Sequence, residues 1–381
     1  MADIVYKLDP EVLIGTDTVN RAGSIVSALG SRALVAAEQV LYENNSIGRL
    51  TSVLEDAGVE AILFDEIPAQ ATADVAENAA DLARGARCDV IIGFGGLQTQ
   101  SIARMAAIIA GSSLEVFDLL DGRKEEKKFI PYIAMPTMGH DPFLFADCFI
   151  AVDPRDRSVK LVRSPPGLCV SAIIDGGLSE SPGGKLTPTA AFDGFCAAVE
   201  SYCSSRSNFL SDALLEQSIA LYSGMISSYA ESSGFDLVSG ITSAGFLLAL
   251  GASISTPGIG TALAYALNGK FPVAKSWCAT VLLPYVLERL VTARPEKMAK
   301  VAALLGEPVE GASVADSANM AVDSIRRRMG VLKVPARLKE FNLSLDKLAP
   351  VAEAARNLEF VAFSPWTVAS EDAFDILKQA F

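Results

Sequence analysis

The run AAFDGFCAAVESY at 190–202 puts Asp193 and Glu200 seven residues apart, and therefore on one face of a helix. Two acids so placed read either as a hydrated side or, given their small apolar neighbours, as a buried Asp193 in need of a partner. Downstream, Thr261, Tyr265 and Lys275 lie in or beside a stretch, 237–269, that carries no charged residue. A lysine in that setting either extends its ammonium to solvent or pairs with a buried acid. Upstream, GFGGLQ at 93–98 follows an apolar strand and opens a helix. Glycines there let backbone N–H groups approach a phosphate, which the helix N-terminus then stabilises. The spacing matches neither GxGxxG nor a Walker loop, so a plain strand-to-helix turn reads equally well. Glu38, at the end of an earlier strand, is either an ordinary loop acid or an acceptor for adenosine ribose hydroxyls. The second role disfavours a 2′-phosphate.

The chain has 381 residues and one histidine, His140. Schemes that draw two histidines from one chain are excluded: zinc fingers, di-histidine zinc hydrolases, histidine-rich iron sites. His140-Asp141 looks like a phosphohydrolase signature, but those sites need several more histidines. His140 is therefore read as an incidental loop residue, or as a contact to a cofactor phosphate, or as an acid near neutral pH. Six cysteines are scattered without a CxxC pair, as buried thiols of a reducing compartment would be. Thirty-two basic and forty-five acidic residues give a net charge of −13, with no basic run. Nucleic acid and anionic membrane are poor partners for such a chain. The N-terminal MADIVYKLDPEVLIG lacks the basic and apolar regions of a secretory signal, so a cytoplasmic protein is expected.

These residues need elements to position them. Half of the chain is hydrophobic and a fifth charged, enough for a sizeable core. At roughly 150 residues per domain the length suggests two domains, or one large one. Apolar runs at 33–37, 59–64, 88–94 and 130–135 alternate with helical patterns at 46–57, 71–85 and 99–110. That alternation signals a parallel sheet covered on both faces, with its ligand at the carboxyl ends of the strands. Strands are also expected at 145–152 and 168–174. The turn-rich SPGGKLTP at 181–188 then marks a boundary, with Thr187 and Pro188 starting a helix. Beyond it, helical periodicity covers 190–204, 211–232, 239–250, 261–267, 276–290, 295–305 and 314–329. The uncharged stretch 237–269 is long enough to span a bilayer. Pro257 and Gly251, Gly258 and Gly260 break it, and two buried helices joined by a Pro-Gly turn fit better. The expectation is an α/β domain over 1–183, Rossmann-like, and an all-helical domain over 184–381.

With these segments in place, the chain resembles the iron-dependent, or group III, alcohol dehydrogenases, kin to dehydroquinate synthase and glycerol-1-phosphate dehydrogenase. The resemblance is carried by ALVAAE at 33–38, IIGFGGLQTQSIAR at 91–104, YIAMPTMG at 132–139, SAIIDGGL at 171–178, AAFDGFCAAVESY at 190–202 and GIGTALAYALNGKFPVAKSWCATVLLPYVLE at 258–288. It implies a dehydroquinate synthase-like fold, a nicotinamide cofactor between the domains, and self-association as a homodimer or larger assembly. The family's metal is held by an aspartate, a histidine four residues later, and two histidines fourteen apart. Here Asp193 keeps the aspartate, while the histidine positions fall on Ala197, Thr261 and Lys275. Methyl, hydroxyl and ammonium groups do not rebuild an imidazole site, so no metal is expected.

The resemblance also maps the phosphate turn. Its glycine triplet, serine, aspartate and lysine fall on Gly95, Gly96, Leu97, Gln98, Ser101 and Arg104, and a second loop survives as Pro136, Thr137 and Gly139 before diverging at His140-Asp141-Pro142-Phe143. Cofactor contacts are assigned to Glu38, Gly95, Gly96, Leu97, Gln98, Thr137, Gly139 and His140, with Glu38 favouring NAD over NADP. Leu97 and Phe143 narrow the room available. The family's proton-relay histidine falls on Tyr265. The expected activity is NAD(P)-dependent oxidation of an alcohol or reduction of an aldehyde or ketone. Lys275 would replace the metal's charge, Tyr265 donate the proton and Asp193 orient Lys275. A phenol titrates near 10 unperturbed, and an ammonium nearby favours its ionised form. The alternative is a degenerate member serving as a nucleotide-binding or protein-interaction scaffold. A lyase or cyclase of the dehydroquinate synthase kind is disfavoured, because that branch also builds its metal site with histidines.

Overall fold

The computed structural model describes residues 4, 6–68, 70–124, 128–179, 188–231 and 236–381. The chain forms two compact units, Met1–Met138 with Leu144–Lys185, and Gly139–Phe143 with Leu186–Phe381. The boundary expected at 183–184, and the cap expected from Thr187, lie outside the described residues.

The first unit is built on β1 (Glu11–Gly15), β2 (Arg32–Ala37), β3 (Glu60–Phe64), β4 (Val90–Gly95), β5 (Tyr132–Pro136), β6 (Cys148–Val152), β7 (Val159–Arg163) and β8 (Cys169–Asp175). Six of these form one parallel sheet in the order β1-β8-β5-β4-β2-β3. The central β4 and β5 are buried along their whole length, as continuous apolar runs in a parallel sheet must be. Helices α1 (Ala22–Ser27), α2 (Ser46–Asp56), α3 (Asp74–Gly85), α4 (Leu97–Gly111) and α5 (Val116–Leu120) connect the strands. The chain leaves β2 toward β3 on one side and continues through β4 and β5 on the other. The switch point, where such sheets take their ligands, thus lies at the carboxyl ends of β2 and β4.

Two strands were not anticipated. β1 is a half-exposed edge strand of five residues, too short and mixed to stand out. β7 pairs antiparallel with β6 in a separate two-stranded sheet, so the expected strand at 145–152 is not part of the main sheet.

The second unit contains α6 (Pro188–Cys203), α7 (Phe209–Glu231), α8 (Leu237–Ile254), α9 (Ile259–Lys270), α10 (Lys275–Ala293), α11 (Pro295–Leu304), α12 (Val314–Leu332), α13 (Ala349–Arg356) and α14 (Ser370–Ala380). The uncharged stretch is resolved into α8 and α9, separated around Pro257 and Gly258. By length and composition α8 would suffice to cross a membrane. Half of it is buried within the protein, and it packs against α7 and α6. Asp236 starts it, its carboxylate accepting the Ser239 N–H at 3.1 Å.

Candidate functional site

The polar residues singled out in the sequence gather in two places, one in each unit. In the α/β unit, β2 ends at Ala37 and delivers Glu38 beside the end of β4. The Glu38 carboxylate Oε1 accepts the Gly96 N–H at 2.7 Å and the Thr99 hydroxyl at 2.9 Å. Gly96 caps α4 and has no side chain to satisfy the first turn, so the acid from the neighbouring strand does this instead. A Cβ on Gly95 would lie 2.8 Å from the Thr99 hydroxyl oxygen, and one on Gly96 would lie 3.1 Å from Glu38 Oε1. Only glycine fits this close approach at the first of these positions.

The turn is braced from below and beside. Gln100 Nε2 donates to the carbonyls of Gly93 at 2.8 Å and Gly95 at 3.0 Å, while its Oε1 accepts the Tyr132 hydroxyl. The Thr137 N–H donates to the Gly95 carbonyl at 3.1 Å. Glu38, Gly95, Gly96 and Thr137 are thus brought together, with Leu97 and Gln98 opening α4 beside them. Gln100 was missed: in a helix start that also carries Gln98, Thr99, Ser101 and Arg104, nothing in the sequence sets it apart. Arg104 is turned inward: it is buried, donates to the Leu144 carbonyl at 2.8 Å and stacks over the Tyr132 and Phe149 rings. In this position it serves the core rather than a phosphate.

Gly139 and His140 follow Thr137 and Met138 in the chain and are counted with the helical unit. Gly139 fits there because it has no side chain. A Cβ would come 2.2 Å from the Ile241 carbonyl oxygen, and one on Gly245 would strike the Gly139 backbone. Its carbonyl accepts the hydroxyl of Tyr222, which in turn occupies the space a Cβ on Gly194 would need. Burial, and secondarily the charge of Asp193, pushes the Tyr222 phenol well above its ordinary value. Tyr222, Gly194 and Gly245 carry no signal in the sequence that would mark them.

Asp193 is fully buried on α6, and the Lys275 ammonium lies 2.7 Å from its Oδ1. Lys275 is the first residue of α10, at the positive end of the helix dipole, where a cation is disfavoured. Asp193 supplies the charge that offsets this. The same ammonium lies 4.6 Å from the centroid of the Tyr265 ring, in cation–π contact. The expected proximity of Lys275 to both residues is therefore met, with the ammonium over the face of the ring. Tyr265 packs against Phe143, and Phe143 against Phe360, at centroid distances of 6.1 and 5.3 Å. The loop aromatic expected to crowd a cofactor is part of the helical unit's aromatic cluster.

His140 Nε2 lies 3.7 Å from Asp193 Oδ2. Burial lowers the histidine below its ordinary value. The Asp193 and Asp141 charges oppose this, and the Lys275 charge adds to it. The imidazole is accordingly neutral at pH 7. Glu200, two turns along the same face of α6 from Asp193, accepts the Gly260 N–H at 2.6 Å and both the N–H and hydroxyl of Thr261, at 2.8 and 2.6 Å. It closes the N-terminus of α9, the helix that carries Tyr265, and its own carboxyl is raised by burial against those hydrogen bonds.

The family positions for a metal do not fit one here. Asp193 Oδ1 holds an ammonium, the Thr261 hydroxyl is bonded to Glu200, and Ala197 offers a methyl group. Among the described residues no cluster of three His, Cys, Asp or Glu could hold an ion.

Comparison with known proteins gives matches along nearly the whole chain. Residues 9–176 match the family profile described as iron-containing alcohol dehydrogenase, and residues 187–381 that of the Fe-containing alcohol dehydrogenase family, C-terminal. Long-chain-alcohol dehydrogenase 1 of Geobacillus thermodenitrificans (strain NG80-2) is 26% identical over 375 residues, covering 97% of this chain and 94% of that one. The NAD-dependent methanol dehydrogenase of Bacillus methanolicus is 21% identical over 98% of this chain and 99% of that one. Among solved structures, a 1,3-propanediol oxidoreductase superposes with a TM-score of 0.91 at 22% identity, covering all of both chains. A sulfoacetaldehyde reductase from Bifidobacterium kashiwanohense in complex with NAD+ gives 0.83 at 15% identity, covering 100% of this chain and 99% of that one.

Proposed function

The chain belongs to the iron-containing alcohol dehydrogenase family, a family of oxidoreductases, and on that premise we propose that it interconverts an alcohol and a carbonyl compound with NAD, using Lys275 where its relatives use a metal. The observation that carries this reading is the Lys275 ammonium 2.7 Å from Asp193, a cation built into the position the resemblance gives to iron.

The dinucleotide fits the α/β unit. The Gly95–Gly96 cradle admits no Cβ at its first residue and opens α4 at the switch point of the sheet, where backbone N–H groups of the first turn, beyond the Gly96 N–H that Glu38 holds, would receive a pyrophosphate. Glu38, Gly95, Gly96, Leu97, Gln98 and Thr137 would hold it. With Oε1 engaged by Gly96 and Thr99, Glu38 Oε2 is the oxygen left to accept from ribose. The fixed carboxylate repels a 2′-phosphate, so NAD is favoured over NADP. When bound, the nicotinamide supplies the hydride acceptor.

The residues of the helical unit handle the oxygen. In oxidation, Tyr265 as phenolate takes the hydroxyl proton while the C–H bond gives up its hydride. In reduction the phenol returns the proton to the carbonyl oxygen. Lys275 offsets the negative charge that develops on that oxygen, an electrostatic role requiring no covalent step. Asp193 fixes the ammonium, and the Tyr265 ring beneath it limits where it can point. A buried charged pair is weak as a source of stability, and an inert scaffold would gain by replacing it with apolar side chains. Its presence favours an active site over a retired one. The same reading makes the protein cytoplasmic and self-associating, with small-molecule alcohols or aldehydes as substrates.

The deciding experiment is a titration of chelator-treated protein with NADH and NADPH, followed by calorimetry and then a screen of alcohols and aldehydes. Saturable NADH binding and metal-free turnover are expected. Folded protein that binds neither nucleotide, or that turns over only after iron or zinc is added, overturns the proposal.

A further inference from the structure

The geometry points to His140 as a direct contact of the substrate oxygen, at a site selective for a neutral hydroxyl group; this rests on the function proposed above. His140 and Asp193 are both more than nine-tenths buried. His140 Nδ1 and Asp193 Oδ2 nevertheless have no hydrogen-bond partner. Buried polar atoms without partners are few in native proteins, and two on neighbouring side chains mark a place where another molecule bonds. Their chemistry selects that molecule. Asp193 Oδ2 is an acceptor only, so the ligand must present a donor. A carboxylate or phosphate cannot donate to it, and an amine that could is repelled by Lys275. A hydroxyl meets all three neighbours: in the resting complex it donates to Asp193 and accepts from the ammonium or from an imidazole N–H, and it turns that proton to Tyr265 only as the C–H bond breaks. In the carbonyl form it keeps the two accepting contacts. Histidine adds what lysine lacks, a neutral partner that can either donate or accept as the oxygen changes between hydroxyl and carbonyl.

This role differs from the cofactor contact expected of His140. The segment that carries it is seated among helices by Gly139, which Tyr222 and Ile241 leave no room to enlarge.

The chain has a single histidine, so protein labelled with 15N-histidine gives one pair of imidazole nitrogen signals. The probe is 2,2,2-trifluoroethanol, an alcohol that resists oxidation, added to the full chain with and without NADH. A saturable displacement of the His140 nitrogen signals by several parts per million is the expected result. No displacement, at any concentration that leaves the protein folded, overturns the inference. This arm needs no turnover, so it decides even if the oxidoreductase reading fails. In an active enzyme, His140→Asn should raise KM for the alcohol at least tenfold and leave NADH binding unchanged. An unaltered KM with lost NADH binding would return His140 to the cofactor and overturn the inference as well.

Discussion

The Lys275 ammonium and the Asp193 carboxylate face each other at 2.7 Å with both side chains almost wholly out of solvent. Lysine at the first position of a helix is electrostatically disfavoured, so α10 does not place its cation there for its own sake. The pair is held by mutual need, and that need has measurable consequences.

Lys275→Met removes the ammonium and leaves Asp193 as a buried, uncompensated charge. Loss of one partner of such a pair costs about 3–5 kcal/mol. Thermal and urea denaturation should show a drop of that size. The double change Lys275→Met with Asp193→Asn should regain most of it while turnover stays absent. A single variant as stable as the wild type would show that the pair is not coupled.

Tyr265→Phe keeps the ring beneath Lys275 and removes only the hydroxyl. Its melting temperature should stay near that of the wild type, while kcat falls by roughly 10²–10⁴, the usual worth of a positioned acid or base. Steady-state kinetics with any accepted alcohol reads this, and an unchanged kcat removes Tyr265 from the mechanism.

Glu38→Gln retains an oxygen for the Gly96 N–H and the Thr99 hydroxyl but carries no charge. NADPH should bind about tenfold more tightly, roughly 1.4 kcal/mol, with NADH nearly unaltered. Calorimetry of both nucleotides compares them directly, and equal change in the two would deny Glu38 a part in selectivity.

The pH dependence of stability can be assigned because His140 is the sole histidine. Its folded-state value is lowered, chiefly by burial. The unfolded chain therefore takes up a proton that the folded chain refuses. Stability is fully present above about 6.5 and is lost as the pH falls through the folded value, at no more than about 1.4 kcal/mol per pH unit. Glu200, raised by burial, acts in the opposite sense and loses stability as the pH rises through its range. The difference between wild type and His140→Gln isolates the histidine; parallel curves for the two between pH 5 and 7 would contradict the assignment.

Ala197→His, Thr261→His and Lys275→His together restore imidazoles at the three altered family positions around Asp193. The triple variant should bind zinc or ferrous iron in calorimetry where the wild type does not. Heat of binding in wild-type protein at the same concentrations would speak against the built-in cation.

Much of this architecture is legible from residue pattern alone. β2, β4 and β5 are continuous apolar runs, which a sheet covered on both faces requires, and the seven expected helices after residue 188 all occur in the structure. The pairing of Lys275 with Asp193 is also legible, since a lysine beside more than thirty uncharged residues has few ways to avoid a cost. What escapes the pattern is long-range. β1 and β7 are short, partly exposed strands, with no periodicity strong enough to separate them from loop. The inward turn of Arg104 depends on a carbonyl at Leu144, forty residues away. His140 follows a strand in sequence and invites a cofactor role, and nothing in its own segment announces Asp193 of α6 and Lys275 of α10 as its neighbours.

That five-residue excursion, Gly139–Phe143, bears on how such a protein can be inherited or rebuilt. The sequence invites division near residue 185, as though two modules had been fused end to end. A helical half transplanted from residue 186 onward would bring Asp193, Tyr265 and Lys275 but leave behind His140 and Phe143. A chimera joined there would need its donor's loop spliced into the recipient's α/β half as well. Exchange between relatives should succeed only when the loop and the helical half travel together.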